Sequence, residues 1–278
     1  MKRLRISAIS YLNTAPLMWD FEHGSSGAAF EISYTVPSRC ASCLCECSAD
    51  IGIIPAAAYA TVPDLVILPG VAIASRRAVR SILLVSKAPL EKVRSVALDN
   101  SSMTSVALTK VLFAKWWGGG RVFTSMTPDL DKMLASHDAA LLIGDPALKI
   151  DRSRYLTHDL AEEWIKLTGK PFVFAFWAVR REALSSAASP VGLATIFQQS
   201  RDHGLAPANV EQIIHEWAPR LGLSEEVERE YLTQNVYYYL DASCLEGLRL
   251  FYRYAYECGA LPIAPRLDFI DAGRAIAV

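Results

Sequence analysis

Short apolar runs alternate along the chain with stretches in which apolar residues recur every three or four positions, and hydroxyl-, amide- or proline-rich turns separate them. The first kind of stretch suits buried strands and the second suits helices with one buried face. Ser95–Gly120 (SVALDNSSMTSVALTKVLFAKWWGGG) is the clearest case. Val96–Leu98 end a strand. Asp99, Asn100, Ser101 and Ser102 break it with side chains that favour turns and N-caps. Leu108, Val111, Leu112 and Trp116 continue at helical spacing, and Gly118–Gly120 stop the helix. The helix start is rich in hydroxyls and free N–H groups, a setting for a carboxylate or phosphate as well as for simple capping.

The same grammar predicts strands over Arg5–Ala8, Ile32–Val36, Asp50–Pro55, Leu65–Leu68, Val71–Ser75, Val79–Ser86, Val122–Thr124 and Asp138–Ile143. Helices are expected over Ala15–Glu22, Ser38–Ser48 and Asp129–Ser136. From Glu182 onward the pattern is mostly helical, beginning with Ser189–His203. Strand, Ser/Asn/Thr turn, helix occurs at Arg5–Glu22 and again at Val93–Trp117. Asp, apolar strand, Gly/Pro/Ala turn occurs at Asp50–Ala57 and again at Asp138–Ala147. Two such units predict an α/β protein of two lobes. Lobe 1 is residues 1–86 plus 181–278 and lobe 2 is residues 87–180. Val79–Lys87 and the β-prone Pro171–Arg180 are taken as the crossings. Polar turns at the C-terminal ends of the strands then face a common cleft, the usual ligand site of open α/β sheets.

Composition narrows the partners. The chain has 278 residues, 52% of them hydrophobic, and a net charge of -1. That balance shows no electrostatic footprint for nucleic acid, and no apolar run reaches the ~18 residues of a membrane span. The start imitates a signal peptide, but Ser7, Ser10, Asn13 and Thr14 interrupt its apolar stretch and no Ala-x-Ala-like site follows. A cytoplasmic protein is expected. Cys40, Cys43, Cys45 and Cys47 crowd together without metal-ligand spacing, so they are read as part of a packed helix with Cys40, Cys43 and Cys47 on one face.

The usual catalytic signatures are missing: no nucleophile elbow, phosphate loop, dinucleotide fingerprint or zinc-binding His pair. His23, His137, His158, His203 and His215 are scattered. The predicted cleft instead holds hydroxyls, an amide and one carboxylate: Ser10, Asn13, Thr14, Ser81, Ser101, Ser102, Thr104, Ser105 and Asp145. This set suits a small polyoxygenated anion, and it offers one general base at most.

Ile9-Ser10-Tyr11-Leu12-Asn13-Thr14-Ala15-Pro16-Leu17 resembles the opening motif of the MqnA/MqnD family of menaquinone biosynthesis, and of its chorismate dehydratases in the futalosine route in particular. Asp50–Pro55, Val79–Ser86, Leu98–Ser105 and Leu142–Leu148 match in the same order. The resemblance implies a type II periplasmic-binding-protein-like fold and conversion of chorismate, a small dicarboxylate, to 3-[(1-carboxyvinyl)oxy]benzoate and water. It implies no metal and no organic cofactor. Carried over by motif, Asn13 and Ser81 lie nearest the reacting ring. Thr104 and Ser105, with Ser101 and Ser102, are expected to hold one carboxylate, and Ser10, Tyr11, Thr14 and Gly144 to complete the contacts. The base is either Asp145 or the substrate's own enolpyruvyl carboxylate. The cysteine run departs from the family pattern. Two alternatives share the fold: a solute-binding protein for small anions, and the sibling 1,4-dihydroxy-6-naphthoate synthase. The sibling relies by resemblance on a cleft histidine that this sequence does not offer.

Overall fold

A computed structural model describes residues 3–186 and 190–270, and among these, ten strands form two five-stranded sheets. The strands are β1 (Leu4–Ile9), β2 (Phe30–Thr35), β3 (Ile51–Pro55), β4 (Leu65–Ser75), β5 (Ile82–Ser86), β6 (Ser95–Asp99), β7 (Val122–Met126), β8 (Ala139–Ile143), β9 (Leu156–Asp159) and β10 (Phe172–Arg180). The first sheet has the order β2-β1-β3-β10-β4 and the second β7-β6-β8-β5-β9. In each, three strands run parallel and the fourth pairs antiparallel with the third and fifth. The two repeated sequence units therefore occupy equivalent places: β1 matches β6, and β3 matches β8.

The lobe boundaries fall elsewhere than expected. β5 belongs to the second sheet and β10 to the first, so the chain crosses between sheets at residues 76–81 and 169–171. β5 is buried at every position and β10 at all but its last. An apolar central strand looks the same to either sheet, so composition could not assign it. The two strands drawn in sequence as Leu65–Leu68 and Val71–Ser75 are one, β4, whose register against β10 shifts around Pro69 and Gly70. Proline lacks the ladder N–H and Gly70 has φ +82°, so the strand bends without ending.

The first helix is tighter than expected. Residues Leu12–Met18 are 3₁₀ turns around Pro16, and only Trp19–Glu22 is α-helical. In the cysteine segment the helix runs Pro37–Cys45. Cys40 is buried, Cys43 half-buried, and Cys45 and Cys47 are exposed. Cys47 lies past the helix end in the left-handed region at φ 57°, which takes it off the face it was expected to share. The helix expected from Ser189 is described from Pro190; Ser189 lies outside the described residues. Among the described residues no helix is long and apolar enough to cross a membrane. None of their His, Cys, Asp and Glu side chains group in threes placed to hold a metal ion.

The main core runs through both sheets and the C-terminal helices. A smaller one, around Leu83, Val85, Met133 and Leu142, fills the far side of the second sheet. The C-terminal segment returns across both lobes. Tyr237 pairs with Ala74 of β4, while Arg80, at the crossing between the sheets, meets Glu230.

Candidate functional site

A narrow cavity of about 50 Å³ lies between the lobes. Ile9, Pro55, Ile73, Phe174 and Ala175 line it from the first sheet, Ile82 and Ile143 from the second. Tyr11, Asn13, Pro37, Ser102, Ser105 and Gly144 complete the wall. Ile9, Pro55 and Ile143 are the last residues of β1, β3 and β8, so the cavity sits at the C-terminal ends of parallel strands from both lobes. An apolar wall with a few convergent polar groups is what a small organic ligand needs.

Ser81 is held by a residue the sequence had not flagged. The Tyr231 hydroxyl, fully buried, donates to Ser81 Oγ at 2.8 Å. Burial pushes the Tyr231 phenol well up, against Ser81 and Asn13, so it stays a donor at any ordinary pH. Ser81 has no exposed surface. Its backbone carbonyl accepts from Gly144 N at 2.8 Å, which ties it to the turn after β8.

The turn before Ser81 is held by Asp159, at the end of β9. Asp159 Oδ1 accepts from Val79 N at 3.1 Å and Oδ2 from Arg80 N at 2.6 Å. Arg80 sits at φ 65°, a backbone state rare outside glycine, and these bonds stabilise it there. Asp159 is thus an anchor for Ser81 that composition gave no reason to single out.

Asp145 follows Gly144 directly. Its Oδ1 accepts from Leu12 N at 3.3 Å, a link from the second lobe to the first. Burial pushes its carboxyl up to about 6, against the Leu12 N–H and Lys149. Glu228, on the helix Glu225–Glu230, has no exposed surface, and neither of its carboxyl oxygens has a hydrogen-bond partner. Burial, and then the charges of Asp145 and Glu225, push it up to about 7.

The serine turn is built differently from a bare anion cradle. Asp99 Oδ1 accepts from Ser101 N at 2.9 Å and Ser101 Oγ at 2.6 Å, fixing the turn. Ser102 Oγ accepts from Ser105 N at 3.2 Å and caps the Thr104–Leu112 helix. Ser102 and Ser105 face the cavity. Thr104 does not. Its Oγ1 accepts from Ala57 N at 3.1 Å and donates to Phe174 O at 3.0 Å, so its hydroxyl is spent on joining the lobes. Ser10 and Thr14 line a neighbouring pocket with His23, Trp217 and Arg220. Tyr11 borders both pockets and packs its ring over Gly144.

Of the residues singled out from the sequence, Asn13, Tyr11, Ser102, Ser105 and Gly144 line the cavity. Ser81 and Asp145 stand directly behind that wall, each next in sequence to a lining residue. Ser101, Thr104, Ser10 and Thr14 have the other roles just given. Tyr231, Glu228 and Asp159 were not singled out from the sequence, because each sits in a segment without a recognisable motif.

Comparison with known proteins adds the following. A family model described as menaquinone biosynthesis matches residues 4–257. A chorismate dehydratase of Thermus thermophilus is 30% identical over 92% of this chain and 94% of its own. One of Campylobacter jejuni is 38% identical over a shorter stretch, 34% of this chain and 33% of its own. Among solved structures, a protein of Archaeoglobus fulgidus superposes with a TM-score of 0.69 at 17% identity, covering 93% of this chain and 98% of its own. The periplasmic aliphatic sulphonate binding protein of Escherichia coli gives 0.65 at 18% identity and 94% of both chains. At such identities the likeness shows the fold: two lobes of the periplasmic-binding-protein kind.

Proposed function

Because the chain belongs to the menaquinone biosynthesis family, we propose that it is a chorismate dehydratase, converting chorismate to 3-[(1-carboxyvinyl)oxy]benzoate and water. The reaction is redox-neutral and calls for no electron acceptor. A proton leaves the ring carbon that bears the enolpyruvyl ether. The electron pair of that C–H bond becomes a ring π bond, and the neighbouring C–O bond breaks. The ring becomes aromatic, so the intrinsic barrier is modest, and holding the ring in a reactive pose supplies much of the rate.

What supports the reading is an interlobe cavity lined by Asn13, with the Tyr231–Ser81 pair and Asp145 next to its wall. The apolar wall of Ile9, Ile73, Ile82, Ile143 and Phe174 suits the ring. Ser102 and Ser105, at the helix start, take a carboxylate. Asn13, on the cavity wall, orients the hydroxyl that departs, and Ser81, held by Tyr231, backs that wall beside Ile82. Asp145 is the base: a carboxyl held near 6 is ionised at neutral pH yet more basic than an ordinary aspartate.

Purified protein mixed with chorismate and followed by mass spectrometry tests this. The expected result is a product lighter by one water, with the absorbance of a substituted benzoate. Chorismate recovered unchanged would overturn the enzyme reading, and tight binding without turnover would favour a solute-binding role.

A further inference from the structure

A pocket of about 330 Å³ that takes no part in the reaction above lies where three pieces of the chain meet. Arg80 lines it from the crossing between the sheets, Leu148, Ile150 and Arg152 from the second lobe, and Val227 from the helix Glu225–Glu230. Each piece has a neighbour at the site already described. Arg80 directly precedes Ser81. Val227 lies one helical turn before Tyr231, whose hydroxyl bonds Ser81. Leu148 ends the short helix that begins at Gly144 of the cavity wall. The pocket therefore adjoins the supports of the interlobe cavity without being part of it.

Its chemistry leans to one sign. Arg152 Nη2 donates to the Arg80 carbonyl at 3.1 Å. That bond uses one of the five N–H donors of the guanidinium, and among the described residues no carboxylate forms an ion pair with Arg152. Asp159 and Glu162 are the carboxylates whose charge reaches it, and both are engaged elsewhere. Asp159 accepts from the Val79, Arg80 and Ala161 N–H groups, and Glu162 pairs with Lys166. Arg80 spends Nη1 on Glu230 at 2.9 Å and keeps the rest of its fork. Asp151, the carboxylate on the pocket wall, turns back on Ser153, accepting from its N–H at 3.0 Å and its hydroxyl at 2.6 Å. Two guanidiniums lining one pocket repel each other until an anion comes between them. A planar carboxylate matches their forks. Leu148, Ile150 and Val227, all half-buried, give the same pocket an apolar side that a bare inorganic anion would leave unused.

We infer that this pocket binds an organic carboxylate with an apolar body, the carboxylate between Arg152 and Arg80 and the body against Leu148, Ile150 and Val227. Such an occupant touches the crossing, the second lobe and the C-terminal segment at once. It therefore restrains the crossing, and with it the movement of one lobe against the other, from outside the interlobe cavity. A ligand that prefers one arrangement of the lobes shifts the protein toward that arrangement. The site does not depend on the dehydratase reading.

Calorimetric titration of the full chain with hexanoate tests this, with inorganic phosphate and hexanol standing for its charged and apolar halves. Arg152→Gln, Val227→Asp and Asn13→Ala are titrated beside the unaltered protein. Hexanoate saturates a single site, and binds about tenfold or more tighter than either half. Arg152→Gln weakens it by about tenfold or more. Val227→Asp weakens it by a similar factor, because it sets a like charge beside the ligand. Asn13→Ala, in the interlobe cavity, leaves it unchanged. In amide hydrogen exchange, bound hexanoate slows the Val79 and Arg80 N–H groups of the unaltered protein. Absence of hexanoate binding, or binding equally tight in Arg152→Gln and Val227→Asp, overturns the inference. Binding lost in Asn13→Ala places the ligand in the interlobe cavity and overturns it too. Phosphate or hexanol binding as tightly as hexanoate overturns the ligand class, and binding that leaves exchange at the crossing unchanged overturns the restraint. Failure of the protein to turn over chorismate touches none of these outcomes, so the two readings fail separately.

Discussion

The Tyr231 hydroxyl donates to Ser81 Oγ at 2.8 Å, joining the C-terminal helices to the crossing between the two sheets. Both side chains are buried, at 1% and 0% exposure, so neither can exchange the bond for water. Tyr231→Phe removes the donor and leaves the ring in place. Ser81 then keeps a buried hydroxyl without its partner, a loss of about 1–3 kcal/mol in unfolding free energy. Because Ser81 loses its anchor next to the cavity wall, turnover falls by about tenfold or more. Steady-state kinetics with a urea melt checks both, and unchanged kcat at reduced stability would confine Tyr231 to packing.

Gly144 carries two constraints at once. Its φ is +63°, and a Cβ there would lie 2.7 Å from the Tyr11 ring. Gly144→Ala strains the backbone and pushes Tyr11 off the turn that holds Asp145. The expected outcome is a stability loss of about 1–3 kcal/mol with a rise in KM larger than the fall in kcat. A crystal structure of the variant with Tyr11 unmoved would remove this account.

Much of this architecture was legible in the chain. The repeated strand-turn-helix units at Arg5 and Val93, and the Asp-led apolar strands at Asp50 and Asp138, became equivalent strands of two sheets because local periodicity and turn chemistry act over a few residues. The sheet membership of β5 and β10 was not legible, since a strand buried on both faces carries no mark of its neighbours. Asn13 and Ser102 could be drawn into the cleft because they follow strands directly. Thr104 follows the same logic and still turned to bind Ala57 and Phe174, which are distant in sequence. Tyr231 reaches Ser81 through tertiary packing of a late segment, and nothing within that segment announces it.

Thr104 gives the third prediction. Its single hydroxyl serves two backbone groups of the first lobe from the helix of the second. Thr104→Val keeps the shape and leaves the Ala57 N–H and Phe174 C=O unpaired at a buried contact. We expect a loss of about 1–3 kcal/mol and a wider average lobe separation, seen as a larger radius of gyration in X-ray scattering. Thr104→Ser keeps the hydroxyl and most of the stability. Equal melting of the Val variant and the unaltered protein would show that the lobes are joined by packing alone.

The last prediction concerns stability against pH, and it needs no substrate. In the unfolded chain Glu228 titrates near its ordinary 4.5, whereas in the fold burial and the charges of Asp145 and Glu225 push it up to about 7. A carboxyl whose folded pKa is raised favours folding in its protonated form. Its contribution is complete below about 4.5 and is lost as pH rises through about 7. Asp145, raised to about 6, acts in the same direction over the lower part of that window. The protein should therefore lose on the order of 2 kcal/mol between pH 4.5 and 8 from Glu228, on top of whatever the exposed pairs contribute. Glu228→Gln is neutral throughout, so its melting temperature should exceed that of the unaltered protein at pH 8 and approach it at pH 5. Parallel curves for the two proteins over this range would mean that Glu228 is not held neutral in the fold.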